Sequence, residues 1–400
     1  MTPISVQVLR RSLVVAIVAA LTLVLLVLAG PRRHADGLSS GAAPRPAAAK
    51  VLNYTPVTGA IFNRPLGSVA DQRRIFTHVN NTIAAAPGGS TIRIAVFSFS
   101  EKATADRLIA AKARGVKVQL VFDDHTKYTQ ELRLQKALGK NANASSFAVF
   151  CHQSCRGTSG GNMHDKVFLF SQAGHAANVL MVGSDNLTGY NATRQWSDVY
   201  TIANDPAMYY TYAGFFDQMK YDRPSGGFYE PEINGYQTQF YPDAGTTEAT
   251  DPLTLMLNGV TCTGAAPGTG VEGATLVRLS QHAWNGSRGV YLARHVVALR
   301  AAGCVVQVIY GVGTGSAVKS ILSHGDVQLS PIRHPKARTH QKTFMVSGNY
   351  EGNPAAQVVF TGSHNWSNGA LKRDDVMLRI DDPAAYQQYA ANFDDIWNNG

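Results

Sequence analysis

Two short stretches of the chain carry an imidazole and an ammonium group in the same order and at the same spacing, HDKVFLF from His164 and HQKTFMV from His340. Each heads an apolar run of strand character. Side chains two apart on a strand share a face, so His164 with Lys166, and His340 with Lys342, are expected to point the same way. A second apolar run follows each and ends in a glycine turn, GSDN at Gly183 and GSHN at Gly362. The turns offer Ser184, Asn186, Ser363 and Asn365 as donors to phosphoryl oxygens, beside the lysines that would neutralise them. Two imidazoles, two ammonium groups and two polar turns suit a phosphodiester. One neutral imidazole would attack phosphorus and one protonated imidazole would supply the leaving alcohol with its proton. Identical residues can hold different protons in one site, because a proton on one disfavours a proton on the other. This scheme requires no metal and no cofactor.

Taken singly, a His-x-Lys is ordinarily a solvated pair and a Gly-Ser-x-Asn ordinarily a turn. The ordered recurrence is what carries the signal. It extends upstream: RLIAAKARGVKVQLVF, from Arg107 to Phe122, resembles HVVALRAAGCVVQVIY, from His295 to Tyr310. Both read as a helix closed by a glycine (Gly115, Gly303) and followed by a β-branched strand. A further strand precedes each, TIRIAVF from Thr91 and TLVRL from Thr275, giving a right-handed parallel crossover. The chain therefore reads as α/β in two similar halves, 51–235 and 236–400. Tyr386, Tyr389, Phe393 and Trp397 are spaced to pack one face of a closing helix.

With these motifs the sequence resembles the phospholipase D superfamily, whose signature is HxKx4D followed by GSxN, over essentially all of Val51 to Gly400. The resemblance implies two phospholipase D-like halves, each a mixed β-sheet flanked by helices, related by a pseudo-twofold axis. It implies that His164 forms a phosphohistidine and that His340 is the acid that later activates water, although the order could be reversed. It also implies an acidic residue after GSxN that orients a catalytic histidine, with Asp198 the candidate in the first half and Asp375, or Asp374, in the second. One departure stands out: Ser171 and Ser347 replace the aspartate that closes each HxKx4D. Serine there can still bond the local backbone. The implied activity is hydrolysis of a phospholipid phosphodiester, possible at a membrane surface. A nuclease would use the same site on DNA or RNA, and the missing aspartates raise a third reading, a catalytically weak binder of anionic lipid or polymer.

Composition sets the frame. Of 400 residues, 45% are hydrophobic and 16% charged, which excludes a disordered or fibrous chain. Arg10 and Arg11 precede an apolar run from Leu13 to Ala29, the layout of an export signal. Residues 1–30 are expected to be a cleaved signal peptide or a retained N-terminal anchor and 31–50 a flexible linker, with the remainder secreted or extracytoplasmic and monomeric. Five arginines and one aspartate precede Lys50, so without that segment the formal charge falls from +9 to +5. No run of Lys and Arg is dense enough to read as a nucleic-acid patch. Four cysteines in an exported chain read as two disulfides, of which Cys151–Cys155 with Cys262–Cys304 is chosen among three connectivities. Cys151, His152 and Cys155 also offer metal ligands, without a fourth at zinc-like spacing. Asp123 and Asp124 end a strand and read as turn residues or pocket rim, with His282 and Trp284 in the similar place in the second half. Trp366 reads as core, and His334 with Lys336 as an extension of the cationic surface.

Overall fold

The β-branched and aromatic runs of the sequence become the strands of two sheets in a computed structural model that describes residues 51–157, 160–331 and 333–400. The export segment and linker, 1–50, lie outside the described residues. The first sheet has seven strands in the order Gly59–Phe62, Asp198–Ile202, Ala176–Gly183, Lys166–Ala173, Thr91–Val96, Lys117–Asp123 and Phe147–Cys151. The second follows the same plan through Tyr236–Phe240, Val376–Ile380, Asn353–Gly362, Lys342–Tyr350, Leu276–Gln281, Val305–Tyr310 and Gln328–Leu329. In both, the three strands joined through helices run parallel and the others antiparallel. Helices Lys102–Ala113 and Gly286–Ala301 make the crossovers read from the sequence.

The hairpin of Glu232–Ile233 with Tyr236–Phe240 belongs to the second sheet, so the chain changes sheet between helix Pro206–Met219 and Glu232. From Val51 onward the described residues form one compact unit. Three large clusters of buried side chains layer it, beside a small one of Trp196, Ile309, Phe393 and Ile396. One lies between the first sheet and its outer helices, one between the second sheet and its own, and the third joins the halves. That shared cluster combines Val167, Leu169 and Leu180 of the first sheet with Met345, Val359 and Leu378 of the second, and takes in Tyr386 and Tyr389 of helix Pro383–Asn399. Among the described residues no helix is long and apolar enough to cross a membrane.

The cysteines pair as Cys151–Cys155 and Cys262–Cys304, with Cα atoms 5.2 and 4.5 Å apart. His152 is not part of a metal cage with them, since its Nδ1 meets Asp124 Oδ2 at 3.1 Å and both thiols are oxidised. Cys262–Cys304 spans 42 positions. A loop of that size restricts the unfolded chain enough that the double variant Cys262→Ser/Cys304→Ser should lose about 3–4 kcal/mol in chemical denaturation.

Candidate active site

Each His-x-Lys lies where its half meets the other. Strands Lys166–Ala173 and Lys342–Tyr350 begin at the lysines, and each histidine sits just before, docked on the opposite half. The His164 amide donates to Asp374 O at 2.9 Å, and the His340 amide donates to Trp196 O at 2.8 Å. Met163 bridges Asp374, while Arg338–Thr339 pairs in parallel with Gln195–Trp196. The two contacts are counterparts, because Asp374 and Trp196 each lie two residues before the matching strands Val376–Ile380 and Asp198–Ile202. Both histidines are 5% exposed and both lysines 0%.

The four groups act as one electrostatic cluster. Burial, with Lys166 close by, holds His164 well below the usual imidazole range against the pull of Asp375. Burial, Lys342, His282, Lys166 and His164 do the same to His340. Burial brings Lys166 down to about 7, and burial with Lys166 drives Lys342 well below the ordinary lysine value. Lys166 Nζ donates to His164 O, and Lys342 Nζ to His340 O at 2.6 Å, so each ammonium is tethered to the backbone of its own histidine.

Hydrogen bonds decide the tautomers. His164 Nδ1 lies 2.8 Å from Asp375 Oδ1. Desolvation would raise that carboxyl, but His164 and His364 beside it hold it well below its ordinary value. An ionised carboxylate only accepts, so Nδ1 carries the hydrogen and Nε2 keeps its lone pair. His340 Nδ1 lies 2.8 Å from the carbonyl of Ser184, which also only accepts. Its Nε2 meets Lys342 Nζ at 3.4 Å, and the partner behind the ring is neutral.

Asp198 does not stand in the place of Asp375. The strand registers match Asp198 with Val376, which makes Ser197 the counterpart of Asp375. One residue further along a strand, Asp198 faces the other way, into Ser184 Oγ and Thr361 Oγ1, both at 2.5 Å, and Tyr389 OH at 2.8 Å. It ties the first turn to the second sheet and the closing helix. Asp374 is similarly structural, accepting from Ser154 Oγ at 3.0 Å and from the amides of Cys155 at 2.6 Å and Arg156 at 3.2 Å.

The turn serines are also occupied. Ser184 Oγ accepts from the Asp198 amide at 3.1 Å, and Ser363 Oγ from the Val376 amide at 3.0 Å. These bonds fasten each Gly-Ser turn to the next strand. The glycines permit this approach: a Cβ on Gly183 would lie 2.3 Å from Asp198 O, and one on Gly362 2.2 Å from Val376 O. Asn186 and Asn365 differ, since their buried Oδ1 atoms have no partner among the described residues. Ser171 and Ser347 lie five residues along the strands from the lysines, where they accept from the amides of Thr91 at 2.8 Å and Gly270 at 3.1 Å. The altered motif positions hold backbone far from the imidazoles.

Around this centre, His282 follows strand Leu276–Gln281 and aligns with Phe97, not with Asp123 as the sequence suggested. Its ring lies 4.3 Å from that of His340, while Phe97 lies 4.9 Å from that of His164. Asp123 receives the amide of Met163 at 2.8 Å and His125 Nδ1 at 2.7 Å, so it anchors the segment that delivers His164. Trp284 and Trp366 are buried against each other at 4.8 Å. His334 and Lys336 are exposed.

Two buried histidines flanked by buried lysines and contributed by two like-folded halves accompany the phosphodiesterase-like fold of the phospholipase D superfamily. The family model described as the cardiolipin synthase, phospholipase D-like domain matches residues 79–220 and 284–397, more than half of the chain, and the chain belongs to this phospholipase D-like family. No curated protein matches the sequence. Among solved structures, a phosphatidylserine synthase from Haemophilus influenzae Rd KW20 is similar at 12% identity and TM-score 0.55, over 85% of this chain and 88% of that one. A polyphosphate kinase from Porphyromonas gingivalis is similar at 12% identity and TM-score 0.52, over 84% of this chain; the match spans only 49% of the kinase. Nuc from Salmonella typhimurium, a phospholipase D family member, is 21% identical with TM-score 0.30, over 42% of this chain and 96% of that one.

Buried cations that repel one another should be relieved by an anion. Inorganic phosphate at about 100 times its dissociation constant should stabilise the protein by about 2.7 kcal/mol. In Lys342→Met that gain should disappear, as read from the phosphate dependence of the melting temperature.

Proposed function

We propose that the chain is an exported phosphodiesterase that hydrolyses phospholipids, releasing phosphatidic acid and an alcohol through a phosphohistidine. The observation that carries the reading is the pair of buried imidazoles held through Nδ1, one by the carboxylate of Asp375 and the other by the neutral carbonyl of Ser184. His164 Nε2 attacks phosphorus, while Nδ1–H on Asp375 stabilises the positive charge the ring acquires. His340 Nε2–H gives its proton to the departing alcohol oxygen as the phosphorus–oxygen bond breaks. It then takes a proton from water, whose oxygen displaces His164 from phosphorus. Lys166 and Lys342 offset the charge on the phosphoryl oxygens throughout. The export layout of residues 1–30 and the fold shared with a phosphatidylserine synthase favour a lipid over a nucleic acid.

Purified protein lacking residues 1–50 should turn over phosphatidylcholine or phosphatidylglycerol vesicles with chelator present. Preferential cleavage of single-stranded DNA would replace the lipid assignment. His164→Ala and His340→Ala should each reduce kcat by at least about 10³-fold with the fold intact by circular dichroism. The acid form of His340 is scarce in the free protein, because burial and Lys342 disfavour its proton. The kcat/KM of the wild type should therefore fall as pH rises from about 5 to about 8, since the proton needed for departure is lost with increasing pH.

A further inference from the structure

Behind Asp375 lies a buried chain of polar groups that the reaction scheme does not use. Arg288, on helix Gly286–Ala301, is 1% exposed and grips Asp251 through Nε at 2.7 Å and Nη2 at 2.9 Å. Its Nη1 lies 2.8 Å from His364 Nε2. A guanidinium only donates, so His364 Nε2 must accept, and the one hydrogen of the neutral ring lies on Nδ1. That Nδ1 faces Asp375 Oδ2 at 3.6 Å, and neither atom has a hydrogen-bond partner among the described residues. Tyr241 stacks on the ring, centroids 3.6 Å apart and planes 11° from parallel, which fixes its plane. Asp251 is satisfied in turn by Tyr291 OH at 2.5 Å and the amide of Leu253 at 2.9 Å.

We propose that His364, oriented by Arg288 and Asp251, is a positioning residue that directs a second N–H at Asp375 and so keeps this carboxylate ionised and aimed at His164. The role rests on the phosphodiesterase reading above. Without that N–H, Asp375 Oδ2 is a desolvated anion oxygen with nothing opposite it, a costly arrangement that favours protonation of the carboxyl. A protonated Asp375 can no longer hold the hydrogen on His164 Nδ1 or balance the charge that ring acquires.

The first half has no such device. Among the described residues the position of His364 is taken there by Asp185, whose carboxyl burial raises well above the usual range, and that of Asp375 by Ser197, so no carboxylate stands behind His340. His340 rests on a backbone carbonyl instead. Among the described residues the chain from Asp251 through Arg288 to His364 points at the carboxylate behind His164 alone, which marks that imidazole as the one that gains a covalent bond.

Three variants of the chain without residues 1–50 test this. His364→Gln keeps an acceptor for Arg288 and a donor for Asp375. His364→Phe keeps the stack on Tyr241 and removes both nitrogens. Should the Phe variant not fold, His364→Ala, which admits water, carries the same expectation. With phosphatidylglycerol, His364→Phe should lose on the order of ten- to a hundredfold in kcat, the loss seen when an outer partner of a functional imidazole is removed, with KM little changed. His364→Gln should retain most of the rate. Nitrogen-15 NMR of the histidine side chains should show His164 with a protonated Nδ1 and an unprotonated Nε2 in wild type and His364→Gln, and lose that pattern in His364→Phe. An unmoved His164 signature in His364→Phe, or equal loss of rate in the Gln and Phe variants, would overturn the role. If the wild type cleaves no phosphodiester, the reaction assignment fails, and the NMR comparison alone upholds or rejects the positioning.

Discussion

The bond from His164 to Asp375 spans 211 positions of sequence and joins one half to the other. Everything functional depends on that crossing. Each half supplies an imidazole and an ammonium group, but the segment that orients a half's histidine belongs to its partner: Asp374 and Asp375 for His164, Trp196 and Ser184 for His340. A single half carries its own sheet and still lacks a complete site. The apolar layer shared by the sheets is thus also a catalytic requirement, because it sets the distance at which these exchanged contacts form. Leaving a buried polar group without its hydrogen-bond partner generally costs about 1–3 kcal/mol, and more for a charged one, so the crossing resists small rearrangements.

A second constraint is the density of positive charge in a place from which water is excluded. Lys166 and Lys342 are fully buried, Lys166 weighs on both Lys342 and His340 of the other half, Lys342 weighs on its own His340, and both lysines are shifted toward the neutral form. Such a site is poorly solvated until an anion enters. A phosphoryl group offers what the protein withholds, negative charge shared over several oxygens. As that charge moves from the attacked phosphorus to the departing oxygen, the fixed ammonium groups need not reorganise to follow it. The substrate also raises the affinity of His340 for the proton it must deliver. Binding and acid generation are two aspects of one electrostatic response.

The sequence made the motifs legible because their spacing repeats and strand periodicity constrains both copies alike. His164, Lys166, His340 and Lys342 could be picked out, and the crossover helices followed from glycine-closed apolar patterns. What could not be read was which acidic residue serves which histidine. Asp198 follows its GSxN at a spacing close to that of Asp375, yet one residue of register turns it toward Ser184, Thr361 and Tyr389. Face assignment at a strand end depends on pairing with a distant strand, and local pattern does not encode it. The hydroxyl of Ser184 was misread for the same reason, since it donates to Asp198, whereas that of Ser363 accepts the Val376 amide and keeps its hydrogen to donate. Arg288 left a faint trace, an arginine in the first turn of helix Gly286–Ala301, where the macrodipole disfavours a cation and a buried partner must compensate.

The two halves show how one plan yields two chemical roles. Their strands, turns and motif residues correspond, so the difference must lie in the variable positions inside the motifs. Between His and Lys, the second half has Gln341, bonded to Asn392 at 2.7 Å, and the first has Asp165, whose buried oxygens lack partners and whose proton is retained by burial and by Asp375 and Asp374. A neutral carboxyl there spares Asp375 a third nearby charge. Beside the imidazoles, Phe97 faces His164 and His282 faces His340, so one ring has an apolar neighbour and the other a neighbour that competes for protons. Inside GSxN, Asp185 neighbours the hydroxyl of Ser197 where His364 neighbours the carboxylate of Asp375. Each substitution is small and none touches the fold, yet all push the same way, toward a nucleophile backed by charge and an acid that is protonated only when an anion is present.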